Sequence, residues 1–312
     1  MLIQTALLIL GLILVVAGAD ILIDGASSVA RKTGISEFVI GLIIVGFGTS
    51  LPELVVSVTG ALGKNSDIAV GNIIGSNVFN TIFVLAVSAL FVPVAITRQN
   101  RMRDIPVTIL VTFLVGFLGK YGGGLSRLEG LIMLAVFAVY LFFNFKTDEG
   151  LDAHAEVGKK EPGTALAVLM ITGGLAGLIL GGRLFVHSAE SIARMAGVSD
   201  KFIAITVLAM GTSLPEFVTS IVAIAKKRSQ LALGNILGSN VFNLLLVLGI
   251  SAVLTPTSFE RIDIWDYAVL ILSIVLVWTS VYTGKKNLLD RFDAVLMLAL
   301  FAAYMTKVFI AL

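Results

Sequence analysis

The sequence predicts an all-α polytopic membrane protein: ten transmembrane helices in two inverted five-helix repeats, with both termini outside. Three observations carry that prediction. The chain is 57% hydrophobic and only 13% charged, about half the charged share of an ordinary soluble domain. Apolar stretches long enough to cross about 30 Å of hydrocarbon recur roughly ten times. Two linked motifs then return in the second half at one fixed spacing.

The series opens with 2–26. Its small residues near Ala19 imitate a signal-peptide cleavage site, but no Lys or Arg precedes Arg31. It also has an internal counterpart near 164–183, so it reads as a first transmembrane helix. Further spans are predicted at 37–60, 67–92, 104–119 and 128–145, then at 164–190, 201–225, 230–254, 265–283 and 290–310. Between the fifth and sixth lies a short charged linker, 146–163, "KTDEGLDAHAEVGKKEPG". It separates a first five-helix repeat, 1–145, from a second, 164–312.

The repeats align without gaps. "GTSLPE" occurs at Gly48–Glu53 and again at Gly211–Glu216, an offset of 163 (216 − 53). The same offset superposes "GNIIGSNVFN" (71–80) on "GNILGSNVFN" (234–243), which differ at one position, and "ARKTGIS" on "ARMAGVS". Five spans per repeat is an odd number, so the second repeat enters the membrane from the opposite side, as in many secondary transporters. Loop charges agree. With the N-terminus outside, inside loops hold 14 basic residues and outside segments seven, the bias of the positive-inside rule.

The repeated motifs place polar chemistry at membrane depth. Pro52 has no N–H to offer the Gly48 carbonyl, and Pro215 none for Gly211, so each helix is expected to break there. Glu53 and Glu216 add carboxylates at positions where an ionisable group costs about 3 kcal/mol. "SLPE" is also a capping-box pattern, with Ser50 as N-cap and Glu53 three residues on. Asn72, Ser76 and Asn80 recur every four residues along one helical face, as do Asn235, Ser239 and Asn243. Both asparagines Asn72 and Asn235 fit interhelical hydrogen bonding as well as ligation. Gly71 and Gly75, with Gly234 and Gly238, permit close helix approach. An all-oxygen donor set favours hard cations such as Ca2+ or Na+, and two carboxylates balance one divalent ion.

At these paired motifs the chain resembles the sodium/calcium exchangers of the calcium/cation antiporter superfamily, prokaryotic type, over essentially its whole length. The resemblance implies a mid-membrane core built from the second, third, seventh and eighth spans, with long tilted first and sixth helices sliding past it. It implies ligands at Glu53, Thr49, Ser50, Ser76 and Asn80, and at Glu216, Thr212, Ser213, Ser239 and Asn243. Gly46 and Ala209 stand where family members offer backbone carbonyls to sodium. Some members carry Asp at the place of Asn243, associated in one branch with potassium use. Asn243 here implies potassium-independent exchange.

The expected function is therefore a secondary antiporter exchanging Ca2+ for Na+ by alternating access, through one site shared by both ions. A proton- or potassium-linked cation exchanger on the same fold is the alternative, and a channel or membrane-embedded sensor is the rival of a different class. An enzyme is not expected, because the chain has no nucleophile arrangement, hydrolase motif or phosphate loop. With no Cys, a disulfide framework and a thiolate metal site are excluded; His154 and His187 are too few and too far apart for a zinc site, and neither haem or redox chemistry nor a cofactor is expected. The net charge of +2 sits in short clusters between apolar runs and gives no nucleic-acid footprint. The expected partners are the two ions and the lipid bilayer, with no obligatory protein partner. The expected location is the plasma membrane of a prokaryotic cell, as a multi-pass protein.

Overall fold

The computed structural model describes residues 1–63, 66–148, 150, 162–198, 209–259, 262–283 and 287–310. Most of the predicted linker (151–161) and the start of the predicted seventh span (201–208) lie outside the described residues.

The protein is helical almost throughout. Helix α1 runs Leu2–Thr33 and stops at Gly34, whose φ of 74° lets its N–H reach the Ala30 carbonyl. Ser36 then caps α2, accepting from Val39 N at 3.2 Å. Helix α2 comprises Glu37–Ile40, Gly41–Gly46 and Phe47–Thr49, and α3 is Leu51–Leu62. Helix α4 comprises Ser66–Val78, Phe79–Val84 and Leu85–Phe91, α5 comprises Asn100–Asp104 and Ile105–Tyr121, and α6 is Arg127–Lys146. Helix α7 is Thr164–Met195. After a described helical segment at Ala209–Gly211 come α8 (Leu214–Ala225) and α9 (Ser229–Val241, Phe242–Val247, Leu248–Leu254). A capping box of Asp263 and Asp266 starts α10 (Ile264–Ser280), and α11 is Arg291–Ile310.

Seven of these helices, or eight if α2 and α3 form one bent span, are long and apolar enough to cross a bilayer. Two predicted spans fall short among the described residues. Helix α8 covers only the end of 201–225, and α10 has 17 residues. The wholly helical expectation also gains a small exception. Val94–Ala95 pairs antiparallel with Leu288–Leu289, and Leu125 bridges Thr257. The repeat relates the two pairings to within one residue, since 94 + 163 = 257 and 125 + 163 = 288, whereas Val94 pairs with Leu289 and Ala95 with Leu288. They join loop segments, where backbone N–H groups outside a helix still need partners.

The predicted break is present, displaced by two residues from the proline. Helices α2 and α3 meet at 48°. The residue that leaves helical geometry is Ser50 (φ −82°, ψ 4°), with Pro52 in the first turn of the new helix, where its missing N–H is tolerated. Ser213 repeats the conformation (φ −87°, ψ 6°) ahead of Pro215. Among the described residues three inserted π-helical turns attend the motifs, at Gly41–Gly46, Phe79–Val84 and Phe242–Val247. The last two are again 163 apart (242 − 79), and each carries an asparagine at its second position. Such turns shift one carbonyl out of register and gather at functional positions.

Two compact units divide the chain, Met1–Pro52 with Asn144–Asn235, and Glu53–Phe143 with Ile236–Leu312. In the first, α1 and α7 run antiparallel in backbone contact. A Cβ on Gly18 would lie 2.8 Å from the Gly174 carbonyl oxygen, and one on Gly11 would lie 2.9 Å from that of Gly181. These two contacts are images of each other under the repeat, because 11 + 163 = 174 and 18 + 163 = 181. Gly41 and Gly234 play the same part between α2 and α9. Their added Cβ atoms would come within 2.4 Å of the Leu231 oxygen and 2.1 Å of the Phe38 oxygen. The positions that would correspond opposite Gly71, 201 and 205, lie outside the described residues. Lys226, just past α8, pairs with Asp20 (2.7 Å) and Asp24 (2.6 Å) on α1, and Arg194 pairs with Glu190 on α7. In the second unit, Phe79 stacks on Phe83 and both meet Phe301 edge-on or tilted where α4 meets α11, while α10 packs on α5 and α4.

Candidate functional site

Helix breaks and small residues bring polar atoms to the interior, and burial then decides what those atoms must do. Glu53 and Glu216 are both completely buried. So are Thr49, Asn80, Ser213, Ser239 and Asn243, with Ser50 and Ser76 nearly so. A carboxylate removed from water needs hydrogen bonds or a counter-charge. Among the described residues no group of three or more His, Cys, Asp or Glu side chains comes together. Neutral oxygens and amides form the surroundings.

In the first unit, the break between α2 and α3 sets Ser50 so that its hydroxyl donates to Oε1 of Glu216 at 3.2 Å. The Thr49 hydroxyl lies 3.4 Å from the Gly46 carbonyl and 3.2 Å from Oδ1 of Asn235, a donor with two acceptors in reach. The Gly46 carbonyl, at the end of the π-helical turn, also accepts from Ser50 N. Asn235 donates to the Glu216 backbone carbonyl (3.4 Å) and to Ser220 Oγ (3.0 Å). The structure thus brings Gly46, Thr49, Ser50 and Glu216 together. Both glycines of the breaks meet α7, Gly48 at the Leu175 side chain and Gly211 at that of Val186. Thr212 is half-buried beside Ser213, and Ala209 lies in the helical segment Ala209–Gly211 before them.

In the second unit, Ser76 donates to Oε1 of Glu53 at 3.4 Å. Asn72 donates to the Glu53 backbone carbonyl (3.3 Å) and to Ser57 Oγ (3.1 Å). Those two bonds are the repeat images of the bonds that Asn235 makes to Glu216 and Ser220. Asn72 and Asn235 therefore act as braces, each tying a glutamate's own backbone to the following helix. Asn80 and Asn243 sit in the matching π-helical turns. Neither end of the Asn80 carboxamide has a hydrogen-bond partner among the described residues, nor does Oδ1 of Asn243. Buried polar atoms of that kind are candidates for a partner from outside the protein, a water or an ion.

In the second copy of "SLPE" the capping box does not form. Ser213 makes no side-chain cap bond, and the Ser50 hydroxyl is turned to Glu216. Sequence reasoning also passed over Ser57, Ser220, Asn77, Asn240 and Thr81. Asn77 and Asn240 were visible in the repeat (240 − 77 = 163), yet they lie off the helical face that Asn72, Ser76 and Asn80 share. The arrangement is chemically suited to holding a hard cation between an anionic oxygen and neutral ones.

Comparison with known proteins points the same way. The sequence model of the family described as "Sodium/calcium exchanger protein" matches residues 3–146 and 166–310. Inner membrane protein YrbG of Escherichia coli is 35% identical over 286 residues, 88% of each chain. Sodium/calcium exchanger MaX1 of Methanosarcina acetivorans is 28% identical over 344 residues, 97% of each chain. A solved structure of the sodium-calcium exchanger NCX_Mj superposes with a TM-score of 0.87 at 29% identity, covering 98% of this chain and 99% of that one.

Proposed function

Because this chain belongs to the sodium/calcium exchanger family, we propose that it exchanges Ca2+ for Na+ by alternating access through one site that both ions share. It is a transporter and not an enzyme. The observation that carries the proposal is the duplicated setting of Glu53 and Glu216. Each is completely buried, accepts from a serine hydroxyl, and is braced through its own backbone by an asparagine. Around them we place the ligand set Thr49, Ser50, Ser76 and Asn80, with Thr212, Ser213, Ser239 and Asn243, and the carbonyls of Gly46 and Ala209.

Ion occupancy then controls movement. Two carboxylates without a cation are costly to carry through a low-dielectric barrier, so the site changes sides only when they are neutralised. One Ca2+ or a set of Na+ ions meets that condition, and competition for the same oxygens makes the exchange obligatory. Ten spans in two inverted repeats (1–145 and 164–312, joined by 146–163), both termini outside and a plasma-membrane location complete the reading. The antiparallel contact of the equivalent helices α1 and α7 supports the inversion.

Flux in proteoliposomes tests it. An outward Na+ gradient is expected to drive Ca2+ accumulation. Uptake that ignores sodium but follows a pH or potassium gradient would replace Na+ as the coupling ion, and ion conductance without coupling would replace the antiporter with a channel.

A further inference from the structure

Asn80 and Asn243 occupy equivalent places in nearly identical motifs, but their hydrogen bonds differ. Asn77 donates Nδ2 to the backbone carbonyl of Asn240 at 3.0 Å. A carbonyl only accepts, so that bond fixes the nitrogen end of Asn77 and turns its Oδ1 the other way. That oxygen takes Nδ2 of Asn243 at 3.0 Å. The Asn243 carboxamide is thereby held with its nitrogen committed and its oxygen facing away, fully buried and without a protein partner.

The image of this relay would have Asn240 bonding the Asn77 carbonyl and Asn80 bonding Oδ1 of Asn240. It is interrupted by one residue. Thr81 gives its single hydroxyl proton to the Asn77 carbonyl at 2.8 Å, and Nδ2 of Asn240 then bonds Thr81 Oγ1 at 2.7 Å. The hydroxyl stands where the direct bond would be. Oδ1 of Asn240 and both ends of Asn80 are left without partners. Position 244, the repeat image of Thr81, is Leu, which has no hydroxyl to insert.

We infer that Thr81 and Asn77 are positioning residues that make the two asparagines unequal, with Asn243 a fixed oxygen ligand for the cation and Asn80 an uncommitted one. The inference rests on the proposed cation site and adds to it the source of its asymmetry. A ligand whose orientation is already fixed loses less freedom on binding than one that must first turn.

The test is a set of substitutions read by the half-saturating Ca2+ concentration for raising the melting temperature of the full-length protein in detergent. Asn243→Ala is expected to raise that concentration about tenfold, and Asn80→Ala about threefold or less. With Thr81→Val, which keeps the shape and removes the hydroxyl, the two alanine substitutions should cost the same within about twofold. Leu244→Thr should act in the opposite sense and bring the cost of Asn243→Ala down to that of Asn80→Ala. If Thr81→Val and Leu244→Thr change only the melting temperature of the ion-free protein, leaving both ratios as they were, the relay has no positioning role. Equal costs for Asn80→Ala and Asn243→Ala in the unaltered background would overturn the inference outright. Binding in detergent needs no gradient, so loss of sodium coupling in the flux assay bears on the antiport proposal alone.

Discussion

The hydroxyl of Ser50 donates to Oε1 of Glu216 across 3.2 Å, so a residue at the helix break of one repeat serves the carboxylate of the other. A hydrogen bond to a charged group contributes about 1.5–3 kcal/mol. Ser50→Ala should therefore weaken apparent Ca2+ affinity by about one to two orders of magnitude. Glu216→Gln, which removes the charge and keeps the shape, should lower exchange by at least about a hundredfold. Gradient-driven 45Ca2+ flux measures both, and a Glu216→Gln protein exchanging at the normal rate would remove Glu216 from the site.

The bracing role of Asn235 predicts a stability defect separable from ion binding. Asn235→Leu deprives the Glu216 carbonyl, Ser220 and Thr49 of a partner at once. A loss of about 2–3 kcal/mol is expected, below the sum of three soluble-protein hydrogen bonds because membrane-embedded ones average less. Reversible unfolding in mixed micelles would report it, and an unchanged unfolding midpoint would show that these bonds do not brace the helix.

Close backbone contact predicts which glycines tolerate no side chain. Gly234→Ala places a Cβ 2.1 Å from the Phe38 oxygen, where only backbone movement can relieve the overlap. Destabilisation of about 3 kcal/mol or more is expected, beyond the usual range for one added methyl. Gly163→Ala, with nothing within 4 Å, is the matched control and should leave the melting temperature unchanged.

Lys226 bonds Asp20 and Asp24, tying the end of α8 to α1. Its repeat image is Gly63 (226 − 163), so this clamp has no lysine counterpart in the first repeat. If α1 moves during exchange, the clamp must open in each cycle. The chain has no cysteine, so Asp24→Cys with Lys226→Cys places the only two thiols at the two ends of this clamp, and a crosslink between them can be scored directly. Oxidation should stop flux and reduction should restore it. Full exchange by the oxidised protein would mean that α1 and α8 do not separate.

Much of this was legible in the sequence because duplication acts as an internal control. A buried glutamate alone is ambiguous, but Glu53 and Glu216 at one offset, each beside the same proline and serine, leave little room for accident. The proline told where the helix would fail only to within two residues, since Ser50 and not Pro52 takes the irregular dihedrals. The inserted turns at Phe79–Val84 and Phe242–Val247 were not readable, because one misplaced carbonyl leaves the apolar pattern of a wholly buried helix unchanged. Asn77 was missed for a related reason. It sits one residue from Ser76 in sequence and about 100° away around the helix, and only the fold reveals that its amide faces Asn243.

The glycine seam between α1 and α7 has a mechanical consequence. At Gly11, Gly18, Gly174 and Gly181 the two backbones touch with no side chain between them that could give way. Helices so joined have no play, and since they run in opposite directions, a shift that withdraws one N-terminus from its membrane face withdraws the other's C-terminus beside it and advances the two opposite ends by the same distance. In the proposed exchange such a pair acts as one rigid beam: uncovering its ends at one face covers those at the other in the same stroke. Protection against leak would then reside in the geometry of four glycines, independent of how tightly any ion is held.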